Sequence, residues 1–212
     1  MLVHPWDAPL DDAETWAFVR AQGFGHLVAP GRTRELPVVV PTQFLVEPVV
    51  DGVPAVVLLH LARPNPVWAA IGENPAVLLS VAGDWAYVPS AWKAIGDEDP
   101  ALGIPTTYYA AAQLAGTAEV VDDDESKLAI LRAQLASYEP EMPHADPAQH
   151  LRRLPGIRGL RITVREVVGK FKYGGNVDTA HRQAVAERLA DRAGPGDAAA
   201  RAHLLRRAER GD

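Results

Sequence analysis

The chain contains no cysteine. Disulfides, thiolate metal sites and thiol catalysis are therefore excluded together. No apolar run approaches the roughly 18 residues that a membrane helix needs. The opening residues, Met1-Leu2-Val3-His4-Pro5-Trp6-Asp7, carry neither a basic region nor an apolar stretch, so no signal peptide is expected. A cytoplasmic location, without membrane association, is the expectation. Positive charge is in deficit: 21 Lys and Arg against 27 Asp and Glu leave a net charge of −6. That weighs against direct DNA binding, because duplex binding is dominated by phosphate neutralisation. Arg201, Arg206, Arg207 and Arg210 form the best local basic cluster, and Glu209 among them makes it read as a solvated helix face. Several catalytic signatures are missing too. There is no His-Glu-x-x-His, no Gly-x-Ser-x-Gly, no Gly-x-Gly-x-x-Gly and no phosphate-binding Gly-rich loop. A nucleophile-based hydrolase has no motif behind it.

What is present is a 212-residue chain, 48% hydrophobic, enough for one sizeable domain and a small appendage. Residues 11–22 read as a capped helix, stopped by Gly23. Residues 24–29 read as a short strand. Residues 36–46 are β-branched but interrupted by Pro37 and Pro41, which predicts an edge or a bulge. Asp51-Gly52 is a turn signal before a strand over 54–61. A short helix follows Pro64. Residues 76–81 and 86–88 read as two strands split at Gly83-Asp84, which suggests a hairpin. Residues 89–105 are irregular, with 96–100 as an exposed loop. Residues 108–121 read as strand. Asp122 to Asp124 then cap a helix whose Leu128, Leu131 and Leu135 share a face. Residues 140–150 read as a loop. Residues 159–168 alternate apolar and polar, and the strand continues into Gly169-Lys170-Phe171-Lys172. Two helices, 178–192 and 197–210, close the chain. Many short strands with few long helices point to an α+β, mainly β fold: a small antiparallel barrel with helices packed outside.

Residues 59–68, Leu59-His60-Leu61-Ala62-Arg63-Pro64-Asn65-Pro66-Val67-Trp68, stand out chemically. An apolar strand ends in an imidazole and a guanidinium, then breaks at two prolines into a helix. His60 can ligate a metal or a heme iron, donate to a flavin, or simply satisfy neighbouring backbone. Arg63 and Asn65 at a helix start suit a phosphate or a propionate. An equally good reading has Arg63 anchoring the loop by pairing with a carboxylate. Thr106-Thr107-Tyr108-Tyr109 can cover and hydrogen-bond a flat cofactor, or pack as an amphipathic strand. Gln113 shares a face with Tyr109 if the strand is regular. Trp85, Tyr87 and Trp92 cluster nearby. Lys93, Lys170 and Lys172 are possible anion partners. His144 and His150 near Asp146 are the only loose metal-like grouping, and no metal site is predicted from them.

Four of these segments, in order, carry a family resemblance. The His60–Trp68 segment resembles the His-x-Ala-Arg-Ala-Asn-Pro-x-Trp motif of the PaiB-like proteins, described as FMN-binding negative transcriptional regulators. Ala86-Tyr87-Val88-Pro89-Ser90-Ala91-Trp92 is similar to that family's Ala-Tyr-Ile-Ser-Pro-Ser-Trp. Ile104-Pro105-Thr106-Thr107-Tyr108-Tyr109 resembles its Val-Pro-Thr-Trp-Asn-Tyr, and Gln113 falls where a histidine is usual. Gly169-Lys170-Phe171-Lys172 with Asn176 resembles its Gly-Lys-Phe-Lys-Leu-Ser-Gln-Asn. The agreement runs from about residue 1 to 190. The resemblance implies a split β-barrel like that of pyridoxamine-phosphate-oxidase flavoproteins, with a cofactor domain over 1–176 and a helical appendage over 177–212. It implies a homodimer with FMN at the interface. Thr42, His60, Arg63, Asn65, Thr106, Tyr109, Gln113 and Lys170 are then the expected cofactor-binding residues. The chain departs from the family at Val38-Val39-Val40-Pro41, where Thr-His-Leu-Pro is usual, and at Thr107 and Tyr108. The superfamily also includes heme-using piperazate synthases, which form an N–N bond. His60 as axial ligand of heme b is the alternative, and a cofactor-free regulator or interaction module is a third reading.

Overall fold

A computed structural model describes residues 1–47, 53–94, 99–142 and 146–209. The Asp51-Gly52 turn, most of the 96–100 loop, His144 and Arg210 lie outside the described residues. The elements in chain order are α1 (Asp12–Gln22), β1 (Phe24–Ala29), β2 (Val38–Gln43), β3 (Leu45–Val46), β4 (Val56–Ala62), α2 (Val67–Glu73), β5 (Ala76–Val88), α3 (Ser90–Lys93), β6 (Thr106–Val121), α4 (Asp124–Tyr138), β7 (Ile157–Lys172), α5 (Thr179–Arg192) and α6 (Asp197–Glu209). Short 3-10 turns cover Pro5–Asp7, Pro100–Leu102 and Pro147–Gly156. Among the described residues, no helix is long and apolar enough to cross a membrane. The chain divides into two compact units. One draws on residues 1–18, 82–112 and 169–212, the other on 19–81 and 113–168.

The second unit holds part or all of every strand of a seven-stranded sheet, in the order β2-β1-β5-β6-β7-β4-β3. The first and last members of that order are consecutive in sequence. Residues 38–43 pair antiparallel with β1, and Leu45 and Val46 pair with β4. Only Phe44 separates the two pairings, so the sheet curls round and closes as a split antiparallel barrel. The prolines predicted an edge here, and β2 and β3 are indeed the outermost members of the order. The barrel interior follows from period-2 patterning: Leu27, Leu59, Leu79, Leu114, Leu160 and Ile162 are fully buried. Each such side chain contributes roughly 1.5–3 kcal/mol on burial. The inner face of β6 is lined with small residues, which lets the backbones draw close. A Cβ at Gly116 would lie 2.6 Å from the Thr163 carbonyl oxygen on β7.

One expectation needs correction, and one helix shows more than its sequence did. Residues 76–88 form one continuous strand, not a hairpin. Asp84 adopts φ +51°, a left-handed bend that aspartate tolerates better than most residues, and the strand runs on through it. The bend is tied down within the first unit: Tyr173 donates its hydroxyl to the Asp84 carbonyl at 2.8 Å, and His203 Nε2 meets the Asp84 carboxylate at 2.9 Å. In α4, the buried stripe is Lys127, Ile130 and Gln134; Leu128, Leu131 and Leu135 are half-buried beside it. Two polar residues thus sit on the inner face of that helix and must find partners there.

The first unit packs α5 and α6 with the 82–88, 106–112 and 169–172 strand segments. Tyr108, Phe171, Tyr173, Val185, Leu189 and Leu204 form its core. Tyr173 stacks on His203 with ring centroids 4.4 Å apart. The turn into α6 presses on β5: a Cβ at Gly196, where φ is +80°, would lie 2.0 Å from the Trp85 carbonyl oxygen. Only glycine suits that position.

Candidate functional site

The 60–68 segment builds a self-satisfied corner in the second unit. Arg63 pairs through both terminal nitrogens with the carboxylate of Asp122, 59 residues on. Its Nε donates to the Pro155 carbonyl at 2.5 Å, and its backbone N–H donates to Gly156 at 2.8 Å. Arg158 reaches the same carboxylate at 3.1 Å, and Lys127 lies 3.9 Å from it. The Arg63 guanidinium, first, and Arg158 hold the Asp122 carboxyl below the usual carboxylate range. Asn65 accepts the Val67 N–H at 3.0 Å and so starts α2, in the absence of the two proline N–H groups. The Trp68 indole donates to the Ala62 carbonyl at 2.9 Å, and the Arg158 guanidinium lies 5.9 Å from its ring centroid. His60 Nδ1 meets the side-chain oxygen of buried Gln134 at 2.7 Å. Facing an amide oxygen, Nδ1 is placed to donate.

The other expected residues divide between the units. Thr42, on β2, is buried and donates its hydroxyl to the Gln43 carbonyl at 3.0 Å. Gln113 is half-buried on β6, in the second unit with Thr42, His60, Arg63 and Asn65. Thr106, Tyr109 and Lys170 belong to the first unit. Lys170 lies 5.6 Å from the centroid of the Tyr109 ring, donates to the Leu2 carbonyl at 2.9 Å and lies 3.8 Å from Asp7. Thr106 Oγ1 accepts from Lys172 at 2.8 Å. Among the described residues, no group of three or more His, Asp or Glu side chains can hold a metal ion.

The first unit also contains a cleft of about 500 Å³ that sequence reasoning did not assemble. Lys93, Thr106, Tyr108, Lys172 and Asn176 line it, with Ile104 and Val177 among its apolar walls. The turn at 99–103 forms one side. Gly103 lets it lie on α3, since a Cβ there would meet the Ser90 carbonyl oxygen at 2.0 Å. Tyr108 is 1% exposed, and its hydroxyl has no hydrogen-bond partner among the described residues. Burial pushes that phenol up to about 12, against an opposing effect of Arg182. Burial, then the charge of Lys172, lowers the Lys93 ammonium from its ordinary value. The signal available in sequence was the pair of resembling motifs at 104–109 and 169–176; only the fold shows that both line one cleft.

One of the comparisons with known proteins shows the family. Residues 1–166 match the family described as "Putative FMN-binding domain", and the chain belongs to it. No curated protein matches the chain. Similar solved structures include a conserved hypothetical protein from Mycobacterium tuberculosis, 16% identical with TM-score 0.57, covering 84% of this chain and 94% of that one. The flavocytochrome Anf3 from Azotobacter vinelandii is 20% identical with TM-score 0.55, over 80% of this chain and 71% of its own. An FAD- and heme-binding protein from Mycobacterium smegmatis is 17% identical with TM-score 0.56, over 78% and 73%. At these identities the likeness is one of fold.

Proposed function

We propose that this member of the FMN-binding domain family is a flavoprotein of redox or regulatory function that works as a homodimer. The observation that carries the reading is the donor set of the first unit. Tyr109 presents a half-exposed ring with the Lys170 ammonium beside it, and Thr106 and Lys172 supply a hydroxyl and a second cation close by in sequence. A ring platform with flanking cations fits a ligand that is both aromatic and anionic, as FMN is. Tyr109 would stack on the flavin ring, Lys170 would favour negative charge on it, and Thr106 would hydrogen-bond its polar edge or tail. Bound FMN supplies the electron chemistry; the protein binds, orients and shields it. Exposed Trp85 and Tyr87, on β5, offer apolar surface for a second copy of the chain.

The test is the absorption spectrum of the purified protein, alone and after adding FMN. Bands near about 370 and 450 nm that persist through gel filtration are expected, with Tyr109→Ala weakening retention roughly threefold to tenfold. The mass in solution should be twice that of one chain. One observation favours the heme reading as the second: the Gln134 oxygen engages His60 Nδ1 and orients the ring, so Nε2 is the nitrogen that would ligate iron. A Soret band lost in His60→Ala would support it. A protein that takes up neither cofactor removes both readings and leaves the cofactor-free module. A direct regulatory act on DNA requires salt-sensitive binding to a promoter duplex.

A further inference from the structure

We propose that the cleft lined by Lys93, Thr106, Tyr108 and Lys172 is a binding site for a phosphoryl group carried by a small organic molecule. It deepens the flavin reading, with which it shares Thr106 and Lys172, but stands on its own observations. Whether FMN or another phosphorylated compound carries the group, the recognition chemistry is the same.

The first observation is the Tyr108 hydroxyl. A buried hydroxyl without a partner costs roughly 1–3 kcal/mol; this one has none among the described residues, and the tyrosine that carries it is one of the residues lining the cleft. Gly174 keeps the space beside it open: a Cβ there would lie 2.7 Å from the hydroxyl oxygen. What the group lacks is an acceptor, and a phosphoryl oxygen is one. The second observation is the sign of the surroundings. Lys93 and Lys172 both line the cleft, and among its described lining residues there is no Asp or Glu. Burial first, and then the charge of Lys172, lowers the Lys93 ammonium from its ordinary value. His181, near the start of α5, is part of the same electropositive neighbourhood. Its Nε2 is buried without a hydrogen-bond partner among the described residues, and burial followed by the Lys93 charge lowers its basicity. The one acid acting on it, Asp178, already accepts the His181 N–H at 2.7 Å as the cap of α5. The third observation is the threonine. Thr106 Oγ1 accepts from Lys172, which leaves its own proton to donate onward. Two ammonium groups and two hydroxyl-bearing side chains around about 500 Å³ make a set of charge-assisted donors with no anion among the described lining residues. The apolar walls at Ile104 and Val177 call for an organic portion on the ligand, not a free ion alone.

The test is calorimetric titration of FMN-free protein with inorganic phosphate, FMN and riboflavin, in wild type, Lys93→Gln, Lys172→Gln and Tyr108→Phe. Phosphate should bind wild type. Each lysine variant should weaken it about tenfold, and Tyr108→Phe about threefold. Unchanged or raised melting temperatures exclude misfolding as the cause. Two supporting outcomes separate the sources. If the group is FMN's own, phosphate competes with FMN, and the lysine variants bring FMN down to the affinity of riboflavin. If another molecule carries it, phosphate binds FMN-loaded protein as well as free protein, and the lysine variants lose phosphate while keeping FMN. Phosphate that fails to bind wild type, or binds both lysine variants undiminished, overturns the site. Failure of the flavin reading looks different: FMN and riboflavin fail while phosphate still binds.

Discussion

The Arg63 corner and the Lys93 cleft are both rich in positive charge, yet they have opposite states of engagement. At the corner, Arg63, Arg158 and Lys127 converge on Asp122, and the backbone carbonyls of 155–157 take further donors. Asn65 and Trp68 close their hydrogen bonds on α2 and on Ala62. At the cleft, two lysines share no described carboxylate, and a tyrosine hydroxyl has no hydrogen-bond partner among the described residues. The corner is therefore organised as a fastening and the cleft as a receptor. A cation in sequence says nothing about which of these it will become; the distinction lies in whether an acid reaches it through the fold.

The contrast predicts opposite responses to substitution. The largest effect belongs to the corner. Trp68→Ala removes a 7%-exposed indole and its bond to Ala62, and should cost about 3–5 kcal/mol in denaturant unfolding. A cost below about 1 kcal/mol would break the assignment of this motif to stability. At the cleft the sign should reverse. Tyr108→Phe removes a hydroxyl that has no partner among the described residues, so ligand-free protein should become more stable by up to about 1 kcal/mol while losing phosphate affinity. Destabilisation by this variant would mean that the hydroxyl is engaged. The smallest effect is electrostatic. Because the folded Asp122 carboxyl is held low by Arg63, its contribution is fully present above the unfolded carboxylate pKa and is lost as pH falls through the folded one. Unfolding measured from neutral pH down into the acid range should show this slope, and Asp122→Asn should flatten it. The side chain is 42% exposed, so solvent screening keeps the term modest.

How much of this was legible in the sequence depended on range. The alternation at 159–168 and the capped helices needed only near neighbours, and β1 and α5 appear where the pattern puts them. The Gly83-Asp84 break was misread because what carries the strand through it comes from Tyr173 and His203, far along the chain. In α4 the shared leucine face is legible in the sequence, but the buried stripe beside it is not, because Gln134 is engaged by His60, 74 residues away. The family resemblance marked segments that matter without showing what each does. The 104–109 and 169–176 motifs line the cleft together, but the bareness of Tyr108 is an absence, and no local pattern encodes an absence.

The single residue between the two pairings of the 38–46 stretch has a practical consequence. Residues 38–43 answer to β1 and residues 45–46 to β4, with buried Phe44 as the joint between them. Inserting or deleting one residue there would turn every side chain on one flank to the opposite face. A tag, a graft or a permuted terminus at this point would act as a frameshift in three dimensions, whereas the same change in an exposed loop would be absorbed. Phe44 is the place where the ring is buckled, and engineering of this protein should begin elsewhere.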